Sequence, residues 1–120
     1  MDSVFDKMTD SEKIVTEYLT ELGLWWKYES PVFVYDEMER PRLWTPDFFI
    51  PKFGLYFEVC GSEDFDYQYR EKIYNKNELC VIFVHCYKKE KAWKKYLVKR
   101  LEEINTDRQN IISKMDKSIL

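Results

Sequence analysis

The run Leu79 to Tyr87, "LCVIFVHCY", constrains the fold more than any other stretch of the chain. It is too short for a typical helix, rich in β-branched residues, and shows no alternation of polar with apolar positions. That is the pattern of a central strand covered on both faces, which demands helices on either side of a sheet. The chain supplies them. "TDSEKIVTEYLTELG" predicts a helix over about Asp10 to Leu22, opened by a capping-box pattern from Thr9 to Glu12 and closed at Gly23. Ile14, Val15, Tyr18, Leu19 and Leu22 form its apolar stripe, and Glu12 lies at the stripe's margin, where it can look into a sheet. A second helix is expected from about Tyr67 to Lys76. Beyond Lys88, Trp93, Tyr96, Leu97, Leu101 and Ile104 recur at helical spacing, with most of the lysines on the remaining face.

Three more strands complete the pattern. Trp25 to Tyr35 reads as a strand bent or interrupted at Pro31, followed by the polar connection "DEMERPR", and two strands follow over Thr45 to Ile50 and Leu55 to Cys60. The expected class is α/β, a mainly four-stranded mixed sheet flanked by helices in the order α-β-β-β-α-β-α. Residues 1–120 suit one domain with a core over about 10–104. In the remaining tail, 105–120, the polar stretch "NTDRQN" predicts a break, and Ile111, Ile112, Met115 and Ile119 at helical intervals suit a docking or homodimer segment.

Composition excludes several classes. Aromatics reach 18% and only three Gly and four Pro occur, so neither disorder nor a fibrous repeat fits. No apolar run approaches the ~18 residues of a membrane span, and the acidic N-terminus lacks the features of a signal peptide, so the expected location is the cytoplasm. Cys60, Cys80 and Cys86 form no C-x-x-C pair and read as buried strand residues. A zinc site from them with His85, the sole histidine, is disfavoured because adjacent strand residues point to opposite faces. Charge is uneven: residues 1–87 carry nine Lys or Arg against seventeen Asp or Glu, whereas Lys88 to Arg100 carries seven basic residues and one acid. An acidic body with one basic segment is compatible with metal binding plus phosphate contact, and a charged run is also the ordinary solvated face of a helix.

Asp47 and Glu58 stand out because each interrupts an apolar strand, where a carboxylate is costly unless its charge is compensated. Pro51 to Gly54 is the turn between the two strands. With an even loop, of two or four residues, position 47 faces position 58, with Cβ atoms ~5 Å apart, where like charges repel. An odd loop bulged at Gly54 separates them. A facing pair is relieved by protonation of one carboxyl, by an intervening basic side chain, or by a hard cation, for which magnesium is suited. Two carboxylates facing solvent are the alternative.

The pattern "PDF", an apolar hairpin and "EVCG" resembles the PD-(D/E)XK nuclease superfamily, the restriction-endonuclease-like fold that includes Holliday junction resolvases and very short patch repair enzymes. The resemblance covers about Asp10 to Ile104 because element order matches as well. It implies metal-dependent endonucleolytic hydrolysis of DNA. Pro46-Asp47 stands for the "PD" and Glu58-Val59-Cys60 for the "(D/E)-x-K". The resemblance implies that Asp47, Glu58 and the Val59 carbonyl hold Mg2+ or Mn2+, while Glu12, in place of the first-helix acid, binds a second ion or outer-shell water.

One position departs from the pattern: Cys60 stands where the family has lysine. Some families resembling this one supply the lysine from the following helix, which makes Lys72 the expected catalytic cation, then Arg70, with Lys76 a third candidate. Gln68 and Tyr69 lie at a depth to touch phosphate or bound water, and Lys91, Lys94 and Lys95 are expected to contact the DNA backbone. The alternative is a catalytically inactive nuclease fold serving as a nucleic-acid-binding or protein-interaction module.

Overall fold

A computed structural model describes residues 3–63 and 65–119, with side chains to residue 116. A 3-10 turn (Val4–Lys7) precedes α1 (Asp10–Glu21), and β1 (Lys27–Tyr28), β2 (Val32–Tyr35), β3 (Pro41–Trp44), β4 (Phe48–Ile50) and β5 (Leu55–Cys60) follow. The chain then forms α2 (Tyr67–Lys76), β6 (Val81–His85) and α3 (Glu90–Ile119). The class is α/β with a mixed four-stranded sheet. Its order is β1-β4-β5-β6, antiparallel except for β5 and β6, which run parallel and are joined by the α2 crossover. Among the described residues no helix is long and apolar enough to cross a membrane.

The sheet divides two cores. On one face Phe48, Ile50, Leu55, Phe57, Ile82 and Val84 pack against Val15 and Leu19 of α1 and Trp93, Leu97 and Leu101 of α3. On the other, Cys60 and Phe83 pack against Ile73 and Tyr74 of α2 and Val32 and Val34 of β2. Strand parity sorts the residues: each of β4, β5 and β6 sends alternate side chains to opposite layers.

Four expectations change. The stretch Trp25 to Tyr35 is two strands in two sheets: β1 joins the main sheet, whereas β2 leaves it after Pro31. The connection "DEMERPR" is a turn only over Asp36 to Arg40. Its last two residues, Pro41 and Arg42, begin β3 (Pro41–Trp44), paired antiparallel with β2. Asp36 makes that turn possible by accepting the N–H groups of Met38 and Arg40 on Oδ1 and the Nε–H groups of both Arg40 and Arg42 on Oδ2. The Asn77 side chain then fastens the hairpin to the end of α2, accepting from Tyr35 N at 2.8 Å and donating to Tyr35 O at 3.0 Å. Third, β6 is covered on both faces as expected but lies at the sheet's edge, not its centre. Covering by helices and sheet position are independent, and the residue pattern reports only the first. Finally, α3 runs without a break through "NTDRQN". Residues 90–119 contain no Gly or Pro, and weak helix formers cost only tenths of a kcal/mol each.

Candidate functional site

The β4-β5 hairpin has a four-residue loop, Pro51 to Gly54, with Gly54 at φ 59° donating its N–H to Ile50 O. Only a left-handed residue closes such a turn without strain, hence glycine. The register pairs Phe48 with Phe57 and Ile50 with Leu55. Continued one step, it sets Asp47 beside Glu58, on the opposite face from Phe48 and Phe57. Both acids therefore leave the α1/α3 core and enter the α2 side.

Glu58 is almost wholly buried, at 2% exposure, and is held from two directions. Arg70 Nη1 donates to Oε2 at 3.1 Å and Tyr74 Oη donates to Oε1 at 3.0 Å. Arg70 and Tyr74 are four residues apart on α2, so they share one helical face. Trp44 of β3 backs both: its ring lies 5.3 Å from the guanidinium carbon and 5.4 Å from the Tyr74 ring. The second hairpin thus supplies the wall that holds the arginine against the acid.

Asp47 is less well compensated. Its Oδ2 accepts the Val59 N–H at 2.7 Å, and no other hydrogen bond from the described residues reaches the carboxylate. Burial, then the nearby Glu58 charge, then Glu12 push its pKa up to about 7, against the pull of the Val59 N–H and Arg70. Burial also raises Glu58, opposed chiefly by Arg70. Glu12 is buried at the start of α1, where the capping box appears as expected: Thr9 N donates to Glu12 Oε1 and Glu12 N donates to Thr9 Oγ1. The Tyr28 hydroxyl lies 3.4 Å from the same Oε1. Glu12 therefore approaches the pair electrostatically while serving as a cap.

Several expected site residues fall elsewhere. Lys72 is exposed and makes no ion pair among the described residues; two positions from Arg70 on a helix, it points away from the face carrying Arg70 and Tyr74. Arg70 is the cation against Glu58. Lys76 donates to Asp36 O and Glu39 Oε1, bracing the β2-β3 turn. Gln68 is exposed, its N–H donating to the Asp66 cap, and the Tyr69 hydroxyl donates to Glu37 Oε2 at 2.7 Å. Lys94 pairs with Glu90 and lies over the Tyr18 and Trp93 rings, whereas Lys91 and Lys95 are exposed. None of these three lysines contacts the carboxylates. Burial pushes the Cys60 thiol up to about 12, so it is neutral and inert at pH 7. Sequence reasoning missed Tyr74 and Trp44. The i,i+4 spacing of Arg70 and Tyr74 was a readable signal for the first, and nothing local announced the second.

Glu12, Asp47 and Glu58 do not form one metal-holding group: among the described residues, no set of three or more His, Cys, Asp or Glu side chains is so arranged. The capping box and Tyr28 engage the Glu12 carboxylate. A two-carboxylate site still suits magnesium, which takes one or two protein carboxylates and keeps its waters. Comparison with protein-family models, with curated proteins and with solved structures finds no match to this chain.

Proposed function

We propose that this chain hydrolyses phosphodiester bonds of DNA with a divalent metal at the Asp47-Glu58 pair, using Arg70 as the cation that the position of Cys60 does not provide. The observation that carries the reading is the pair itself: a buried and a half-buried acid side by side, Glu58 tied to Arg70 and Tyr74, Asp47 short of positive charge. Element order supports it too, since the PD-(D/E)XK resemblance implies a helix, three strands, a helix, a strand and a helix around a mixed sheet. Here α1, β1, β4, β5, α2 and β6 follow that order, with the β2-β3 hairpin inserted.

A bound magnesium or manganese ion supplies Lewis-acid activation of phosphate and a more acidic water. The chain's own residues do the rest. Tyr74 and Arg70 fix the orientation of Glu58. Arg70 spends one N–H on Glu58 and keeps further donors, in a plane steadied by Trp44, for phosphate oxygens where charge develops. Asp47 must be ionised to ligate, so metal affinity rises with pH through about 7. Glu12, which the pair feels electrostatically, keeps the proposed role of binding outer-shell water or a second ion.

A specific observation favours a second reading, a catalytically inactive nuclease-like module. Both Glu58 oxygens and one Asp47 oxygen already have protein donors, as in a self-contained polar cluster. Nicking of supercoiled and branched DNA in Mg2+ or Mn2+, with calorimetric metal titration of wild type and Asp47→Ala, separates the two. Metal-dependent nicking lost in the variant supports the nuclease; wild-type DNA binding without metal uptake or nicking supports the module.

A further inference from the structure

The carboxyl ends of the parallel strands β5 and β6 carry a ladder of rings that the carboxylate chemistry does not use. Phe65, Tyr67, His85 and Tyr87 follow one another with centroids 4.7, 5.9 and 5.4 Å apart. Tyr87 Oη lies 3.0 Å from His85 Nδ1. These rings border an open cleft of about 630 Å³ whose wall also includes Glu71. Around His85 lies a second cleft of about 310 Å³, lined by Lys88, Trp93 and Tyr96. His85 thus stands between an acidic aromatic side and a basic one. Burial, then Lys88, lowers its pKa against Glu71, which leaves a neutral ring at pH 7.

Crevices at the carboxyl ends of strands are where open α/β sheets bind ligands. This one is polarised. Carboxylates among rings repel phosphate but accept hydrogen bonds from the amino groups of bases, and Lys88 attracts phosphate. Phe65 is 55% exposed and Tyr87 39%, so part of each ring is open to solvent and to an incoming base. Tyr67 links the cleft to the carboxylate pair: its ring meets His85 edge to face, it lies beside the Cys60 thiol, and its hydroxyl feels the Asp47 and Glu58 charges.

We propose that this cleft receives an unpaired nucleobase of the DNA strand whose phosphate reaches Asp47 and Glu58, so that the substrate is single-stranded, frayed or branched DNA and not continuous duplex. The inference rests on the nuclease reading of that pair. A base inside a duplex cannot enter without leaving its stack, which costs a few kcal/mol, whereas an unpaired base enters freely.

The test compares wild type with a Phe65→Ala, Tyr87→Ala variant, by fluorescence anisotropy in EDTA, on a short single strand, its duplex, and single strands carrying one abasic position at each place in turn. Both side chains are exposed, so the fold survives their removal. The wild type should prefer the single strand. The variant should bind it roughly 5- to 150-fold more weakly, the equivalent of one base stack of ~1–3 kcal/mol, with duplex affinity unchanged. At one abasic position the wild type should lose comparable affinity and the variant almost none. Preference for duplex, or changes under about twofold in all arms, overturns the cleft. Nicking assays in Mg2+ keep the two readings apart. Intact wild-type cleavage with no effect of the variant on Kd or KM overturns the cleft alone, and the expected binding without cleavage overturns the hydrolase alone.

Discussion

Two aspartates of this chain are held by their surroundings in opposite ways. Asp36, 3% exposed, closes the β2-β3 turn with two backbone N–H donors and two arginines, and these donors, led by the Arg40 N–H, pull its pKa down to about 2. Asp47, beside the β4-β5 hairpin, has one N–H donor and an acidic neighbour, and is pushed up to about 7. A saturated carboxylate serves the fold. An under-compensated one is retained at a cost in stability, which is how binding and catalytic groups commonly stand apart from structural ones. The Arg70-Glu58 pair lies between these extremes: satisfied, but by a cation with donors to spare.

The largest expected effect tests the contrast directly. Asp47→Asn should reduce nicking below detection while leaving thermal stability unchanged or higher, because it removes charge repulsion and keeps an acceptor for the Val59 N–H. Asp36→Asn should do the reverse, lowering the melting temperature while folded molecules still cleave. Equal destabilisation by both substitutions would erase the distinction.

Next in size is the cation. Arg70→Ala should cut the cleavage rate roughly 100- to 1000-fold, as loss of a donor to developing charge does, and Arg70→Lys should recover part of it. Lys72→Ala, on the other face of α2, should stay within about twofold of wild type, since exposed residues away from a site rarely matter. A strong Lys72 effect in single-turnover assays would return the catalytic role to it.

Stability against pH sharpens the comparison further. Between the ordinary value of 3.8 and about 7, folded Asp47 keeps a proton that the unfolded chain has released, so stability falls as pH rises across that window. The loss is on the order of a few kcal/mol and complete above it. Asp36 runs the other way, its stabilisation present above 3.8 and lost as pH falls toward about 2. Thermal melts should show the Asp47 slope vanish in Asp47→Asn, and millimolar Mg2+ should raise wild-type stability most at neutral pH and above, where the carboxylate is ionised to bind it.

The smallest effect concerns the basic start of α3. Neutralising Lys91 and Lys95 should weaken DNA binding and lower the salt slope by roughly 0.9 for each phosphate that these ammonium groups neutralise in the wild type. Lys94→Ala should alter the slope less, because that ammonium is already engaged by Glu90 and two rings.

Much of the frame was legible from local pattern. The capping box of α1 and the hairpin turn at Pro51 to Gly54 follow from side-chain types at fixed spacing, and the four-residue loop, one of the lengths the sequence left open, is what aligns Asp47 with Glu58. Those signals act within a turn or two of chain, where sterics and hydrogen bonding leave few alternatives. Glu12 entering the core was likewise readable from its place beside Val15 and Leu19, whereas Ile14, counted in the same stripe, is 44% exposed and Thr16 is buried instead.

Tertiary structure decided which groups meet. Trp44 reaches Arg70 because Asp36, Arg40 and Arg42 fold a polar stretch into β3, and because Asn77 docks that hairpin on α2. Arg70 and not Lys72 reaches Glu58 because the rotational setting of α2 on the sheet is fixed by Ile73 and Tyr74 packing against Phe83 and Cys60. The sequence by itself singled out two strand acids that an even hairpin loop would set on one face, where they need compensating charge, and the folded register decided that they share it. It could not say which cation would answer, because that depends on how a helix rolls on a sheet, and the roll is settled by packing between residues distant in the chain.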